Sequence, residues 1–357
     1  MQSLDEKTWN AVELGSIFTF ERGKEKNMAS LAQGHIPLVS ARKVNNGIKG
    51  FVDNPTKVIK GGHVISLNND GDGGAGLAYY QPINFALDTH VTALHPKNDI
   101  SPDALLCMTA SISKQHAVFG HGRSISLPRA HRIQNMLPIA DTGELDYNYM
   151  AEYTQQKREA MLKKYRTYAE KRIAELGDFI EISALDEKMW HEFYIGELFD
   201  VSRPAARNKD DYQIGSVPFV ASGSVNNGVM KLCAPFEGEE LDNGCCITVS
   251  PVDGSTFFQP MDFLGRGGAG SSILMLRCNS LNLYRGQFIV RTIKKTCSKY
   301  TYGHMGNKDS IKRERIMLPV TDSGEPDYAY MEQYVKNMMV RKYKQYMSFL
   351  DRSHKDK

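Results

Sequence analysis

The residues most suggestive of chemistry lie at 66–76, where the sequence reads SLNNDGDGGAG. Acidic, glycine-rich runs can cradle a phosphate or bind calcium. A phosphate-binding loop needs a Gly-Lys-Ser/Thr that does not follow here, and an EF-hand that begins at Asn68 needs glutamate where Tyr79 stands. A calcium-binding β-roll needs tandem copies of its motif. The stretch therefore predicts neither a phosphate site nor a metal site.

The remaining interpretation of this stretch is a turn. Asp70-Gly71 and its approximate counterpart Asp253-Gly254 each follow an apolar run. Such dipeptides favour tight hairpins, because both central residues of the turn take positive φ. The additional glycines allow the backbone to pass close to a neighbouring strand or to a ligand.

No other catalytic set is indicated. The sequence lacks the Asn/Asp-Pro-Pro-aromatic motif of amino-methyltransferases, Asp186-Glu187-Lys188 lacks the spacing of a nuclease site, and no pair of His, Ser or Asp recurs in both halves. We predict a chain that is not an enzyme, with no catalytic residue, metal site or cofactor of its own. The cysteines form no CxxC pair, which favours buried thiols over zinc or disulfides at Cys107, Cys233, Cys245, Cys246, Cys278 and Cys297.

The composition is that of an ordinary globular protein, with 41% hydrophobic and 24% charged residues. No apolar run is long enough to span a bilayer, and the N-terminus lacks the basic and apolar regions of a signal peptide, so we expect a cytoplasmic protein. A net charge of +3 does not by itself indicate nucleic acid. The basic residues do cluster at 157–172 and 336–357, where a solvated helix face is the ordinary interpretation.

The chain contains an internal duplication. Residues 136–153 (MLPIADTGELDYNYMAEY) and 317–334 (MLPVTDSGEPDYAYMEQY) share eleven of eighteen residues without a gap. At the same offset Trp9 matches Trp190, and IPLVSARKVNNG at 36–47 matches VPFVASGSVNNG at 217–228. A repeat this long indicates a duplicated domain rather than a solenoid.

The residue composition of each half changes at the equivalent position. Short β-rich runs separated by Gly, Pro and Asn come first, and a stretch without Gly or Pro follows from Tyr147 and from Tyr328. Asp146 and Asp327 stand where a helix N-cap is expected. We predict an α+β fold with a β-containing domain at 1–146, a helix at 147–180, a second domain at 181–327 and a C-terminal helix at 328–357.

Both helices carry a stripe of Met and Tyr at helical spacing. Such a stripe is more often core than a binding surface, but a helix this long cannot bury it all within a small domain. The two stripes most simply bury each other, which predicts two long antiparallel, coiled-coil-like helices between the domains. The stripe residues are Met150, Tyr153, Met161, Tyr165, Tyr168, Met331, Tyr334, Met338 and Tyr346.

The order of these features resembles the specificity subunits of Type I restriction-modification systems. The shared features are Trp plus LG(S/E)(I/L)F at the head of each half, an IPxV-type strand leading to Asn-Gly, an apolar strand running into Asp-Gly, and (M/I)LP before a long helix. The resemblance covers both halves, and the shorter length brings the chain closer to the Type IIB specificity subunits. We leave the choice between the two types open.

The resemblance implies two target-recognition domains that bind a bipartite site in double-stranded DNA. It also implies that the helices bind a DNA methyltransferase, with a restriction endonuclease subunit or a fused methyltransferase-nuclease as a further partner. S-adenosylmethionine and Mg are then expected on the partner subunits.

Within this picture, Arg and Lys read guanine or hold phosphates, while Asn and Gln read adenine. Each of these residues alone is as readily an ordinary surface residue, and Asn-Asn-Gly is also a turn signal. The candidates in the first domain are Arg22, Lys24, Lys26, Ser40, Arg42, Lys43, Asn45, Asn46, His121, Arg123, Arg129, His131 and Arg132. Those in the second domain are Arg203, Arg207, Ser222, Ser224, Asn226, Asn227, Arg266, Lys308 and Lys312.

Two other functions remain open at this point. One is a free-standing sequence-specific DNA-binding or antirestriction protein, which would lack a methyltransferase partner. The other is a carbohydrate- or protein-binding β module with a dimerising helix, which would lack affinity for DNA even at low salt.

Overall fold

The computed structural model describes residues 2–25, 31–60, 62–71, 74–268 and 270–355. The chain divides into two compact units, Met1–Tyr165 (unit 1) and Arg166–Lys357 (unit 2). The long helix α4 (Tyr147–Leu176) is continuous across the division between them. Among the described helices, none combines the length and the apolar character needed to cross a membrane.

Unit 1 is built from mostly antiparallel strands and three helices that precede α4. The element bounds before α4 are β1 (Trp9–Glu13), α1 (Leu14–Ile17), β2 (Phe18–Arg22), β3 (Gln33–Val39), β4 (Ile48–Val52), β5 (Val58–Ile59), β6 (Val64–Asn68), β7 (Ala78–Gln81), β8 (Phe85–Leu87), β9 (Val91–Pro96), α2 (Pro102–Ser113), α3 (Leu127–His131) and β10 (Gln134–Pro138).

The strands of unit 1 form three sheets, with orders β2-β9-β6-β7, β4-β3-β8-β5 and β1-β10. The central strand β6 is buried along its whole length, as its apolar run requires, and β3 pairs in parallel with β8. Helix α2 covers the first sheet, where Leu105 and Met108 pack with Phe18, Ile65 and Leu94 in the main core. Burial of these side chains is the chief stabilisation of the unit.

Unit 2 repeats this plan. Its sheets have the orders β12-β18-β15-β16, β14-β13-β17 and β11-β19, which follow those of unit 1 except that the second sheet has no strand equivalent to β5. The bounds are β11 (Trp190–Tyr194), α5 (Ile195–Leu198), β12 (Asp200–Ser202), β13 (Ile214–Val220), β14 (Val229–Cys233), β15 (Cys246–Val249), β16 (Thr256–Gln259), β17 (Leu264–Gly265), β18 (Leu274–Arg277), α6 (Leu283–Cys297), α7 (Lys308–Lys312), β19 (Arg315–Pro319) and α8 (Tyr328–Lys355). The duplication read from the sequence is confirmed.

The prediction that Asp70-Gly71 and Asp253-Gly254 lie in hairpins is confirmed, but the connections between the paired strands are longer than the predicted tight turns. Strands β6 and β7 pair, as do β15 and β16, but residues 69–77 and 250–255 connect them. Asp70-Gly71 and Asp253-Gly254 are therefore parts of longer loops and not two-residue turns. Within the loop of unit 1, Asn68 Nδ2 donates to the carbonyl of Gly74, and the amide of Gly76 donates back to the carbonyl of Asn68.

The predicted caps of the two long helices are confirmed. Asp146 accepts from the amide of Tyr149 at 2.9 Å and from Lys7 Nζ at 2.8 Å. Asp327 accepts from the amide of Tyr330 at 2.9 Å and, in place of Lys7, from Lys188 Nζ at 2.8 Å. Each carboxylate thus satisfies a free helix N–H group and fixes the segment before β1 or β11 to the start of a helix.

The Met and Tyr stripes are divided between several environments. Met150 and Met331 are wholly buried in the cores of units 1 and 2, and Tyr334 packs against the core of unit 2. The first turn of each stripe therefore belongs to its own domain and is not available to another helix or to a partner, which corrects the expectation for Met150 and Met331. The reason is that the helix begins at the edge of its domain and must cover the open side of the core.

Within unit 2, the end of α4 runs antiparallel to α8. Arg166 Nη1 lies 2.7 Å from Asp351 Oδ1, and beyond the end of α4 the amide of Asn337 donates to the carbonyl of Ile180 at 2.6 Å. The hydroxyls of Tyr168 and Tyr343 lie 3.4 Å apart between these points. The contact combines aromatic rings with charged and polar groups rather than forming a continuous apolar seam.

We predict that the two cap carboxylates make the protein sensitive to acid. Partial burial by itself would raise the pKa of Asp146 and of Asp327, but the lysine and the helix amide outweigh it and leave each pKa below its usual value. A lowered pKa stabilises the fold above the ordinary aspartate pKa of about 3.9, and this stabilisation is lost as the pH falls through the lowered pKa. The double variant Asp146→Asn/Asp327→Asn should therefore melt below wild type at pH 7, and the difference should close in acid.

The matched control is Asp141→Asn/Asp322→Asn, which alters two exposed turn carboxylates of the same repeated phrase. Thermal unfolding followed at neutral and acidic pH decides the matter. A difference between wild type and the cap variant that persists unchanged in acid would contradict the assignment.

Candidate nucleic-acid interface

The Asn-Asn-Gly segments form the same structural turn in both units. Asn46 and Asn227 adopt positive φ angles of 54° and 55°, a conformation that asparagine tolerates better than most residues. The Asn46 amide donates to the carbonyl of Tyr80 at 2.9 Å, and Gln81 Nε2 returns a bond to the Asn46 carbonyl at 3.0 Å. Asn227 makes the corresponding bonds with Phe258 and Gln259. The side-chain amides of Asn46 and Asn227 thus hold the turn, while Asn46 stays exposed, and their assignment as base-reading residues stays a prediction.

Three loops of unit 1 meet at the end of β6. Asn68 Nδ2 donates to the carbonyl of Arg42 at 3.1 Å, and the amide of Ile125 donates to the carbonyl of Asn69 at 2.7 Å. A Cβ on Gly76 would lie 2.6 Å from the ring of Phe119, so only glycine lets the loops approach this closely. The loops that carry Arg42 and Arg123 are therefore held on one surface.

The predicted residues of unit 1 occupy this surface unequally. Ser40 is buried and cannot contact DNA directly, because the β3 edge turns it inward. The ring of His131 packs on Phe20 with centroids 4.2 Å apart. Lys26 lies outside the described residues, and the same holds for the side chain of His121. Exposed side chains remain at Arg22, Lys24, Arg42, Lys43, Asn45, Asn46, Arg123, Arg129, His131 and Arg132.

Some of these exposed side chains are already oriented by the protein. Arg22 Nε donates to the carbonyl of Thr89 at 3.1 Å, and Arg132 Nε to that of Pro128 at 3.3 Å. The backbone of Arg42 is held by Asn68 and by the hydroxyl of Tyr79, while its guanidinium is exposed. A fixed backbone with a solvent-facing cation suits base or phosphate contact, because little order is lost on binding.

In unit 2 the corresponding surface contains a cavity of about 470 Å³. Its lining includes Arg266, which bonds to Ser271, and Ser222, which donates to the carbonyl of Ser271 at 2.9 Å. The loop at 298–307 is fixed beside it, since Gly306 N donates to the carbonyl of Pro251 at 2.9 Å. Cation and hydroxyl donors thus meet in one recess, an arrangement that can read base edges.

The remaining candidates of unit 2 are exposed or structural. Exposed side chains stand at Arg203, Ser224, Asn226, Lys308 and Lys312. Arg207, however, has a side chain only 7% exposed, with Nε 2.8 Å from Glu239 and Nη1 2.7 Å from Asp242. Its charge is balanced within the protein, which corrects its assignment to DNA. The neighbouring carboxylates lie 32 and 35 residues away, beyond the range of any local pattern.

Three residues of the cavity were missed by the sequence reasoning. Tyr302 is 83% exposed at the mouth, and Lys209 and Asp253 line the wall. Burial alone would raise the pKa of Asp253, but hydrogen bonds from Ser250 and Ser255 lower it, so the carboxylate stays ionised and can accept from an amino group. The sequence signal that could have identified Tyr302 is an aromatic residue within a Tyr-Gly-His loop.

The stripe residues outside the domain cores differ in exposure. Met161 is 71% exposed, and Tyr168 and Tyr346 are about half exposed. Partly buried positions are Tyr153, Tyr165 and Met338. Apolar groups are therefore presented to solvent along both helices.

Comparison with known proteins places these features in a family. The model of the Type I restriction modification DNA specificity domain matches twice, at residues 6–165 and 187–345. The chain belongs to this family and carries two copies of its domain. It is a DNA specificity subunit of the restriction-modification class.

Individual relatives have the same role in their names. The specificity subunit S.BcgI of a Type II restriction enzyme from Heyndrickxia coagulans is 25% identical over 333 residues, which cover 91% of this chain and 93% of that protein. A Type I S subunit from M. genitalium aligns over 98% of this chain and 94% of its own, with 12% identity and a TM-score of 0.49. The HsdS subunit from Thermoanaerobacter tengcongensis aligns over 94% and 91%, with 14% identity and a TM-score of 0.30.

We predict that Arg207→Ala destabilises unit 2 instead of changing sequence preference. Its removal leaves Glu239 and Asp242 as unpaired carboxylates, and breaking such a buried pair costs about 3 kcal/mol. The control Arg203→Ala removes an exposed cation of the same unit and should change the free energy of unfolding by less than about 0.5 kcal/mol. Urea unfolding measures both variants. If Arg207→Ala left the stability unchanged and altered the DNA sequence preference, Arg207 would belong to the DNA interface after all.

Proposed function

We propose that the chain binds a bipartite DNA target, with unit 1 reading one half-site and unit 2 the other. The observation that carries the proposal is that equivalent loops differ in side chains while their scaffold is the same. Arg42 and Lys43 of unit 1 stand where unit 2 has Gly223 and Ser224, one valine before the shared Asn-Asn-Gly turn. Two copies of one frame with different loops should read two different sequences.

Base and phosphate contacts are divided within each domain. Arg42 and Arg123 in unit 1, and Arg266 in unit 2, are proposed to contact bases, because their loops are fixed and their guanidinium groups are accessible. Peripheral cations such as Arg22 and Arg203 are proposed to contact phosphates, which position the domain without reading sequence.

The chain is proposed to supply recognition only. Methyl transfer with S-adenosylmethionine and Mg-dependent cleavage belong in this proposal to methyltransferase and endonuclease partners, either separate or fused, which act in the cytoplasm with the chain. The exposed apolar groups on α4 and α8, among them Met161, are the proposed partner surface. The same role fits a Type I system, as the family model is described, and a Type II system, as the S.BcgI relative is named.

The two helices are proposed to set the spacing of the half-sites, as a pair of antiparallel spacers between the recognition domains. Helix α4 has 30 residues and α8 has 28. At about 1.5 Å per residue, α4 is about 45 Å long, so at about 3.4 Å per base pair the centres of the two recognition domains should lie roughly 10 to 13 base pairs apart on DNA. With three or four base pairs read by each domain, roughly six to nine unspecified pairs lie between the half-sites.

We predict that base-reading substitutions act on one half-site at a time. Arg42→Ala or Arg123→Ala should relax or abolish reading of one half, and Arg266→Ala should do so for the other half. Each lost contact should cost about 1–3 kcal/mol of discrimination at one base pair. Relative affinities for duplexes that vary one half-site at a time give the measurement.

The same experiment contains its own control, because every variant is assayed on both half-sites. If any one of these variants relaxed both halves equally, the proposal of two independent recognition domains would be wrong.

A second prediction concerns the spacing. Insertion of one heptad between Lys164 and Tyr165, and of another between Lys342 and Tyr343, preserves the helical stripes and adds about 10 Å. The unspecified spacer should then grow by about three base pairs while both half-sites stay the same. Methylation-site mapping with the partner methyltransferase would show this, and an unchanged spacer would refute the role of the helices.

A further inference from the structure

A groove of about 1020 Å³ runs along helix α6 of unit 2, on a flank that the recognition residues above do not include. One wall is the outer face of α6, and the other is the β11–β19 pair, which contributes Trp190, Arg315 and Met317. The loop that leaves this end of α6 reaches Tyr302, which lines the recognition cavity. The groove and the recognition cavity are therefore connected through the segment between Ser298 and Tyr302.

The α6 wall carries a cluster of cations. Arg291, Lys294, Lys295 and Ser298 follow each other at i, i+3, i+4 and i+7, so they share one helix face. All three cations are exposed, and within the described parts of the chain no carboxylate lies within ion-pair distance of them. Like charges at this spacing repel each other, and an anion bound between them would remove the repulsion.

The opposite wall adds a fourth cation with a fixed direction. Arg315 donates to Glu192 at 3.0 Å and to the hydroxyl of Tyr194 at 2.7 Å, and its guanidinium lies over the Tyr194 ring. Glu192 compensates Arg315 only, so the groove keeps a net positive charge.

Unit 1 has the same groove walls without this charge. One bond of the frame is the same in both units: Gln115 Nε2 donates to the carbonyl of Gln134, and Thr296 Oγ1, at the equivalent position, donates to that of Arg315. Trp9 and Met136 match Trp190 and Met317. At the positions of the four cations, however, unit 1 has Ala110, Ser113, Lys114 and Gln134. Lys114 is thus the single cation in unit 1 where unit 2 has four.

We propose that the α6 groove of unit 2 binds the phosphate backbone of DNA next to the half-site that unit 2 reads, and that unit 1 has no equivalent contact. The proposal rests on the proposed function above. Its consequence is that the two domains are unequal: unit 2 supplies more of the sequence-independent, salt-sensitive affinity. Phosphates are the fitting ligand, because the groove offers several flexible cations and few groups that could read a base edge.

The ordinary explanation of Lys294 and Lys295 is stabilisation of the C-terminal end of α6, where cations are favoured. That explanation concerns folding stability and predicts no effect on DNA. It does not extend to Arg315, which lies on a strand, or to Arg291, which lies in the middle of the helix.

The test is the salt dependence of DNA affinity, measured with the full chain on a mixed-sequence duplex and on a duplex with its recognised site. Each phosphate neutralised contributes about 0.9 to the slope of log K against log salt. The triple variant Arg291→Ala/Lys294→Ala/Lys295→Ala should therefore lower the slope by about two to three on both duplexes, with unchanged sequence preference.

Two control variants accompany it. The charge-conserving variant Arg291→Lys/Lys294→Arg/Lys295→Arg should keep the wild-type slope, because phosphate contact requires charge more than shape. Lys114→Ala, the equivalent position in unit 1, should leave the slope unchanged. Thermal unfolding of each variant separates a loss of folded protein from a loss of contact.

The possible results are distinct. A wild-type slope retained by a folded triple-alanine variant overturns the groove proposal and leaves the proposed function intact. If the triple-alanine variant retained DNA binding but no longer bound an acidic protein partner, the groove proposal would also be overturned. No affinity of the wild-type chain for either duplex, even at low salt, contradicts the proposed function itself. If the Lys114→Ala variant lowered the slope as much as the triple-alanine variant does, the proposed inequality of the two units would be refuted.

Discussion

Each unit depends on a reciprocal bond between an asparagine at the β3–β4 or β13–β14 turn and a glutamine at the end of β7 or β16. Gln81 and Gln259 are each 3% exposed, and each bonds to the asparagine carbonyl and to a buried hydroxyl. The asparagine belongs to one sheet of the unit and the glutamine to the other. The pair therefore links the two sheets, and an unsatisfied amide at such a buried site would cost about 1–3 kcal/mol.

Because this bond lies beneath the loops, the loops above it are free to differ. The turn in unit 1 is preceded by Arg42 and Lys43 and the turn in unit 2 by Gly223 and Ser224, yet the backbone φ angles of the two turns agree within a few degrees. A frame held by buried side chains tolerates exchange of its exposed residues. This is the physical basis on which one duplicated fold can carry two specificities.

Positive charge serves two different purposes in unit 2. The guanidinium of Arg207 lies against Glu239 and Asp242 and holds the β14-β13-β17 region together. Arg291, Lys294 and Lys295 of α6 have no such partners among the described residues and remain exposed. A count of Arg and Lys does not distinguish these situations, since a paired cation attracts DNA far less than an unpaired one.

Much was determined by the sequence alone: the duplication, the α+β order within each half, the two long helices, their aspartate caps and the family. These features are local or periodic, so they leave a regular trace along the chain. Only the tertiary structure decided that the side-chain amides of Asn46 and Asn227 hold their turns, that Met150 and Met331 belong to domain cores, that Arg207 is neutralised, and that Tyr302 lines the same cavity as Arg266. Each of those outcomes depends on a neighbour far away in sequence, and side-chain burial and pairing are set by that neighbour rather than by the residue type.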